Sequence, residues 1–325
     1  MSNLVLDNFE SLIRPGPRVA WLEKWLLGEV WSAERYQNLS ALQYLNDGEL
    51  ELNTLEEIIA HAAHRLYDEF LDEPLHGRNI LHFLEMDEPT ALVIFDGLSL
   101  REIPPLLDLA RKSNFIVQEI GTSYSTLPTE SIDFIAHKLK LGRVSPSQLP
   151  KRGQIKEKDM AVYYYNNPSQ QFPLDRHSPK LLLWSAFPDN TYSDSGARFP
   201  QHFIQMHKLL ETAWLNTVQQ IPRGRKILLT SDHGYMYLGA GLSFPRSNLE
   251  LRPLIAYLGG ERYRYLTDEN INPPDHPDLA VYRNLKVAVL KGRIQTHPQG
   301  KTASMLYKHG GLSIMEMLVP WIVLE

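Results

Sequence analysis

The spacing of apolar positions changes character near residue 89. Before it, apolar residues recur three and four apart. Val19, Leu22, Trp25 and Leu26 follow the punctuation of Pro15-Gly16-Pro17, and Leu55, Ile58, Ile59, Ala62, Leu66 and Phe70 form a second set. That spacing places each set on one side of a 3.6-residue turn, as in an amphipathic helix. Thr54 followed by Glu57 has the capping-box pattern and predicts that the second helix begins there. The turn-rich stretch 72–77 ends it, and Glu85-Met86-Asp87-Glu88-Pro89 marks a boundary. The expected organisation is an N-terminal helical region, residues 1–88, and a second domain, residues 89–325. The helical region reads as a packing or partner-binding module. His61 and His64 are spaced to share a metal ion, although exposed imidazoles on a polar face are the simpler reading.

After Pro89 short apolar runs alternate with helical spacing. Strands are predicted at Ala91–Phe95, Phe115–Ile120, Lys180–Trp184, Lys226–Thr230 and Leu254–Leu258. Helices are predicted around Pro105–Lys112, at Ile132, Ile135, Ala136 and Leu139, and along Phe199, Phe203, Met206, Leu210, Ala213, Trp214 and Thr217. Strands apolar throughout, alternating with helices, predict an α/β fold whose sheet is covered on both faces. The segment Val144–Ser178, with the cluster Tyr163-Tyr164-Tyr165, breaks the rhythm and reads as an insertion over the sheet edge.

Composition narrows the chemistry. With 33 basic and 38 acidic residues the formal charge is −5, which fits neither a cationic nucleic-acid coat nor an acidic tail. There is no cysteine, so disulfides, thiolate metal sites and a cysteine nucleophile are excluded. His and carboxylates remain as metal ligands. Residues 1–10 show no basic and apolar leader, and no apolar run approaches the roughly 20 residues a membrane helix requires. A soluble, cytoplasmic protein with no membrane partner is expected.

Ligands in open α/β sheets gather beyond the carboxyl ends of strands. Asp96-Gly97, Asp189, Ser231-Asp232-His233-Gly234 and Lys308-His309-Gly310-Gly311 all fall at strand ends or turns. An Asp-Gly alone is usually a turn. Adjacent Asp and His have no use in a turn, and three Asp with two His suit a two-metal site of zinc or manganese. A hydroxyl lies ahead of the helical run from Ile132, within Leu127-Pro128-Thr129-Glu130-Ser131. Thr129 or a neighbour could simply cap that helix. The same place would stabilise an alkoxide or a phosphate, more so with a metal ion at the hydroxyl.

Taken in order, Asp96-Gly97, Leu127–Ser131, Ser231–Gly234, His309–Ser313 and the tail Ser313-Ile-Met-Glu316-Met-Leu-Val-Pro320 resemble the PglZ domain of the alkaline phosphatase superfamily. The resemblance spans residues 89–325. It implies an alkaline-phosphatase-like sheet sandwiched by helices and a hydrolase linked to phage defence of the BREX kind. It also implies that Asp96, Asp232, His233 and the Thr129 hydroxyl hold one zinc, with Asp189 and His309 helping to hold a second. The family usually has His or Asp four residues after the carboxylate matched by Asp189. Here that position is Ser193, so Asp194 is the candidate replacement, with His202 and His207 further on. PglZ domains often carry a hydroxyl at both positions matched by Thr129 and Ser131. Thr129, directly after the proline, is the expected nucleophile and Ser131 the alternative.

The expected activity is metal-dependent phosphoester hydrolysis, and the resemblance implies a diester rather than a monoester, since monoester enzymes usually add a cationic clamp for the extra charge. Arg101 and Arg143 are clamp candidates or surface ion pairs. The alternatives are a catalytically weak or inactive scaffold in a multi-protein complex, which Ser193 favours, and a phosphomutase using the same site. A nucleotide or oligonucleotide substrate is compatible with Lys138, Lys140, Arg143, Lys151, Arg152, Lys156 and Lys158 beside the tyrosine cluster. A solvated face is the simpler use of those charges. Other phage-defence subunits are the expected protein partners.

Overall fold

The computed structural model describes residues 18–61, 66–69, 77–152, 159–194, 199–239, 241–267, 272–296 and 307–325. Its centre is a six-stranded mixed sheet. The strands are β1 (Thr90–Phe95), β2 (Val117–Tyr124), β3 (Met160–Tyr165), β4 (Lys180–Ser185), β5 (Lys226–Thr230) and a last strand at Leu318–Leu324, in the order β2, last strand, β5, β1, β4, β3. β1, β3, β4 and β5 run parallel, and the last strand is antiparallel to both its neighbours. Side chains alternate across the sheet with period two. Val93, Phe95, Leu181, Leu183, Ile227 and Leu229 enter one apolar layer. Leu92, Ile94, Leu182, Trp184 and Leu228 enter the other. Both faces are buried under helices, which is why the strands read as unbroken apolar runs.

The helices are α1 (Arg18–Trp25), α2 (Ala33–Asn38), α3 (Ala41–His61), α4 (Leu66–Glu69), α5 (Ile80–Leu84), α6 (Ile103–Lys112), α7 (Ser131–His137), α8 (Phe199–Asn216), α9 (Asn248–Leu258) and α10 (Ile314–Met317). The expected N-terminal helices are present and share their core with the sheet: Leu22, Trp31, Tyr44, Leu45 and Leu52 lie in the same cluster as Val93, Phe203 and Met206. Polar groups cross the same boundary. Glu49 and Glu56 of α3 are fully buried, Glu49 pairing with Arg101 and Arg293 and Glu56 with Arg293. No helix among the described residues is long and apolar enough to cross a membrane.

Four local expectations are corrected. Leu254–Leu258 belongs to α9, not to a strand. Ser247 and Glu250 form a capping box, Leu254, Tyr257 and Leu258 make a helical stripe, and Gly259 closes the helix in the left-handed conformation. Thr54 does not start a helix; it lies inside α3, its hydroxyl donating to the Leu50 carbonyl. The second strand begins at Val117 and runs past Ile120 to Tyr124. The tyrosine cluster is edge strand β3, in parallel register with β4, rather than an insertion. Tyr163 and Tyr165 pack against Phe172, so Tyr165, 1% exposed, offers no face to a base. The side chain of His61, all of His64, and Lys156 and Lys158 lie outside the described residues.

Candidate metal centre

Strand alternation aims the first carboxylate. Asp96 directly follows β1 and points to the same side as Ile94, which is in register with Trp184 of β4. The Trp184 indole donates to Asp96 Oδ2 at 3.2 Å. α7 packs on that face through Phe134 and Ile135. Ser131 lies three and four residues before them, on the same helix side. Its hydroxyl donates to Asp232 Oδ2 at 2.5 Å and lies 3.4 Å from Asp96 Oδ1. Asp232 leaves the end of β5, adjacent to β1, and accepts the Gly97 N–H at 3.1 Å.

A short ribbon brings in the distant histidine. β6 (Met236–Tyr237), which follows the Ser231–Gly234 turn, pairs antiparallel with a strand at Tyr307–Lys308. The ribbon sets His309 beside His233, their rings stacked with centroids 4.1 Å apart. Gly234 is required in that turn, because a Cβ there would lie 2.1 Å from the Met315 carbonyl oxygen.

His233 is buried. Its Nδ1 lies 3.0 Å from the Gly234 carbonyl, and its Nε2 lies 3.5 Å from Asp96 Oδ1 and 3.6 Å from Asp232 Oδ2. His309 Nε2 lies 3.7 Å from Asp189 Oδ1. Two groups of potential ligands result: Asp96 with Asp232 and His233, and Asp189 with His233 and His309. Burial, then Asp232 and Asp189, raise the Asp96 carboxyl well above its usual range. Burial acts to lower His309, yet Asp189 and Glu130 outweigh it and push it up to about 9. Among the described residues no Lys or Arg lies within ion-pair distance of Asp96, Asp189 or Asp232. Carboxylates gathered without a fixed cation suit a divalent metal, so the donor set fits one.

The hydroxyl meeting this cluster is that of Ser131, and the Thr129 hydroxyl lies at Gly310 and Gly311 instead. Thr129 is fully buried one residue before the helix cap, and its Oγ1 accepts the Gly310 N–H at 2.6 Å. Because it precedes the helix, α7 packing does not turn it toward the carboxylates. The backbone of Asp194 ends the turn Asp189–Asp194, but its side chain lies outside the described residues.

Both later histidines are engaged elsewhere: His202 lies between Tyr307 Oη at 2.9 Å and Thr191 Oγ1 at 3.0 Å, and His207 is half-buried against Phe203 and Tyr36. Arg101 is neither a clamp nor a surface pair; it is fully buried on Glu49. Arg143 forms a half-exposed ion pair with Asp133 and donates to Tyr265 Oη at 2.8 Å. Two contributors escaped the sequence reading. Trp184 gave no signal beyond an apolar strand residue. Glu130 sits 3.4 Å from His309 Nδ1, and its place between the two candidate hydroxyls was the available clue.

No family model matches the chain, and no curated protein matches it. Solved structures similar to it include murine ectonucleotide pyrophosphatase/phosphodiesterase 5, at 15% identity over 73% of this chain and 88% of that one, with a TM-score of 0.44. Phosphonoacetate hydrolase from Sinorhizobium meliloti 1021, in complex with phosphonoformate, gives 11% identity, 73% and 89% coverage and a TM-score of 0.44. The human ectonucleotide pyrophosphatase/phosphodiesterase 5 gives 13%, 73% and 87%, and 0.41.

Proposed function

We propose that the chain is a metal-dependent phosphoric ester hydrolase of the PglZ type in the alkaline phosphatase superfamily, with Ser131 as nucleophile. The observation carrying this reading is the Ser131 hydroxyl, bonded to Asp232 inside a cluster of three carboxylates and two imidazoles. Asp96, Asp232, His233 and Ser131 would hold one ion, and Asp189 and His309 the other. Their oxygen and nitrogen atoms suit zinc, or alternatively manganese. When bound, such ions lower the pKa of a hydroxyl and polarise phosphoryl oxygens.

Ser131 Oγ attacks phosphorus in line, forming one P–O bond while the bond to the leaving oxygen breaks. Asp232 Oδ2 stands in position to receive the serine proton. Water then displaces the phosphoryl group from Ser131, restoring the hydroxyl and releasing the product. Diesters are the preferred substrates, because among the described residues no buried guanidinium faces the cluster to take the extra charge of a monoester. Nucleotides or oligonucleotides, a cytoplasmic setting and other phage-defence subunits complete the proposal.

One observation favours a weak or inactive scaffold instead. His233 belongs to both ligand groups, but its single Nε2 can serve only one ion, which leaves Asp189 and His309 for the other. Hydrolysis of chromogenic mono- and diesters by chelated and then reloaded protein separates these readings. Metal-dependent turnover that Ser131→Ala abolishes supports the hydrolase. Full activity in Ser131→Ala overturns the nucleophile, and no turnover with zinc or manganese leaves the scaffold.

A further inference from the structure

The Thr129 hydroxyl has an unspent role. Its Oγ1 accepts the Gly310 N–H at 2.6 Å and donates toward the Gly311 carbonyl at 3.3 Å, while its own carbonyl faces His309 Nδ1 at 2.9 Å. One residue thus grips three consecutive residues of the segment that carries His309. With Nδ1–H directed at a carbonyl, Nε2 is the ring nitrogen left facing Asp189. Glu130 Oε1 approaches the same Nδ1 at 3.4 Å. The opposite side is closed: Gly310 has φ +101°, and a Cβ there would meet the Tyr263 ring at 2.7 Å. The strand delivering His309 is only two residues long and cannot fix the imidazole by itself.

We propose that Thr129 is a positioning residue that clamps His309-Gly310-Gly311 so that the imidazole Nε2 meets the second divalent cation, with Glu130 steadying the same ring. This rests on the metal-centre reading above and gives Thr129 a purpose other than attack. Partners that orient a ligating histidine typically change metal affinity by about 10–100-fold when removed.

The test titrates zinc into the metal-free full chain against a competing chelator, resolving the two affinities. Thr129→Val should weaken the second ion by about 10–100-fold and leave the first unchanged, Thr129→Ser should restore the second, and Glu130→Gln should weaken it by about tenfold or less. Valine and glutamine variants that bind both ions like the wild type overturn the inference, as does equal weakening of both sites. A wild-type chain that binds one ion overturns it while sparing the first site, and one that binds neither zinc nor manganese overturns the metal centre itself. Should Thr129→Val fail to fold, Glu130→Gln decides: loss confined to the second ion supports the clamp, and unchanged binding overturns it.

Discussion

Two polar clusters in this molecule are built on opposite principles. In the first, Arg101 and Arg293 are fully buried and closed by Glu49 and Glu56 from α3, and Glu56 also accepts the Ile314 N–H at 2.7 Å. In the second, Asp96, Asp189 and Asp232 gather around His233 and His309, and among the described residues no Lys or Arg pairs with them. Buried charge is costly unless it is paired. The first cluster therefore completes the fold, and the second stores a charge imbalance that a divalent cation would relieve.

The largest expected effect breaks the first cluster. Glu49→Ala leaves two buried guanidinium groups short of a partner and should cost about 3–5 kcal/mol in urea unfolding. A loss below about 1 kcal/mol would show that the network is not what seats the N-terminal helices.

Next comes Glu102, an additional buried carboxyl that accepts the Ser99 N–H at 2.8 Å and the Tyr235 hydroxyl at 3.1 Å. Burial pushes it up to about 7. Its folded pKa is raised, so the stability it contributes is complete below about 4.5 and is lost as pH rises through about 7. The wild type should lose on the order of 3 kcal/mol from this group between pH 4 and 8, and Glu102→Gln should remove that part of the profile. Parallel profiles for the two proteins would contradict this.

The smallest effect has the opposite sign. Asp96→Asn removes a repelled carboxylate, so it should raise the Tm of the metal-free protein, by roughly 2–4 °C per kcal/mol of repulsion relieved. The same variant should lose the stabilisation that zinc gives the wild type. A lower metal-free Tm in Asp96→Asn would mean that the cluster is already balanced.

The same contrast explains what could be read in advance. The α/β architecture was legible because strands buried on both faces are continuous apolar runs, as at Ala91–Phe95 and Lys180–Trp184. Leu254–Leu258 misled because five apolar residues are ambiguous in period, and only Ser247, Glu250 and Gly259 reveal the helix. The candidate ligands were legible as polar residues at strand ends. Which of the Thr129 and Ser131 hydroxyls lies beside the carboxylates was not, since that turns on which residue shares a helix face with Phe134 and Ile135. The Glu49–Arg101–Arg293–Glu56 network was also hidden, because its partners are up to 244 positions apart and each looks like an ordinary surface charge.

The most direct test is diffraction from zinc-loaded crystals at the zinc absorption edge. An anomalous peak is expected about 2.0–2.2 Å from carboxylate oxygens of Asp96 and Asp232 and from His233 Nε2, with Ser131 Oγ beside it and Thr129 Oγ1 still on Gly310. A pocket without a peak under saturating zinc, or a peak reached by Thr129 and not by Ser131, would contradict this.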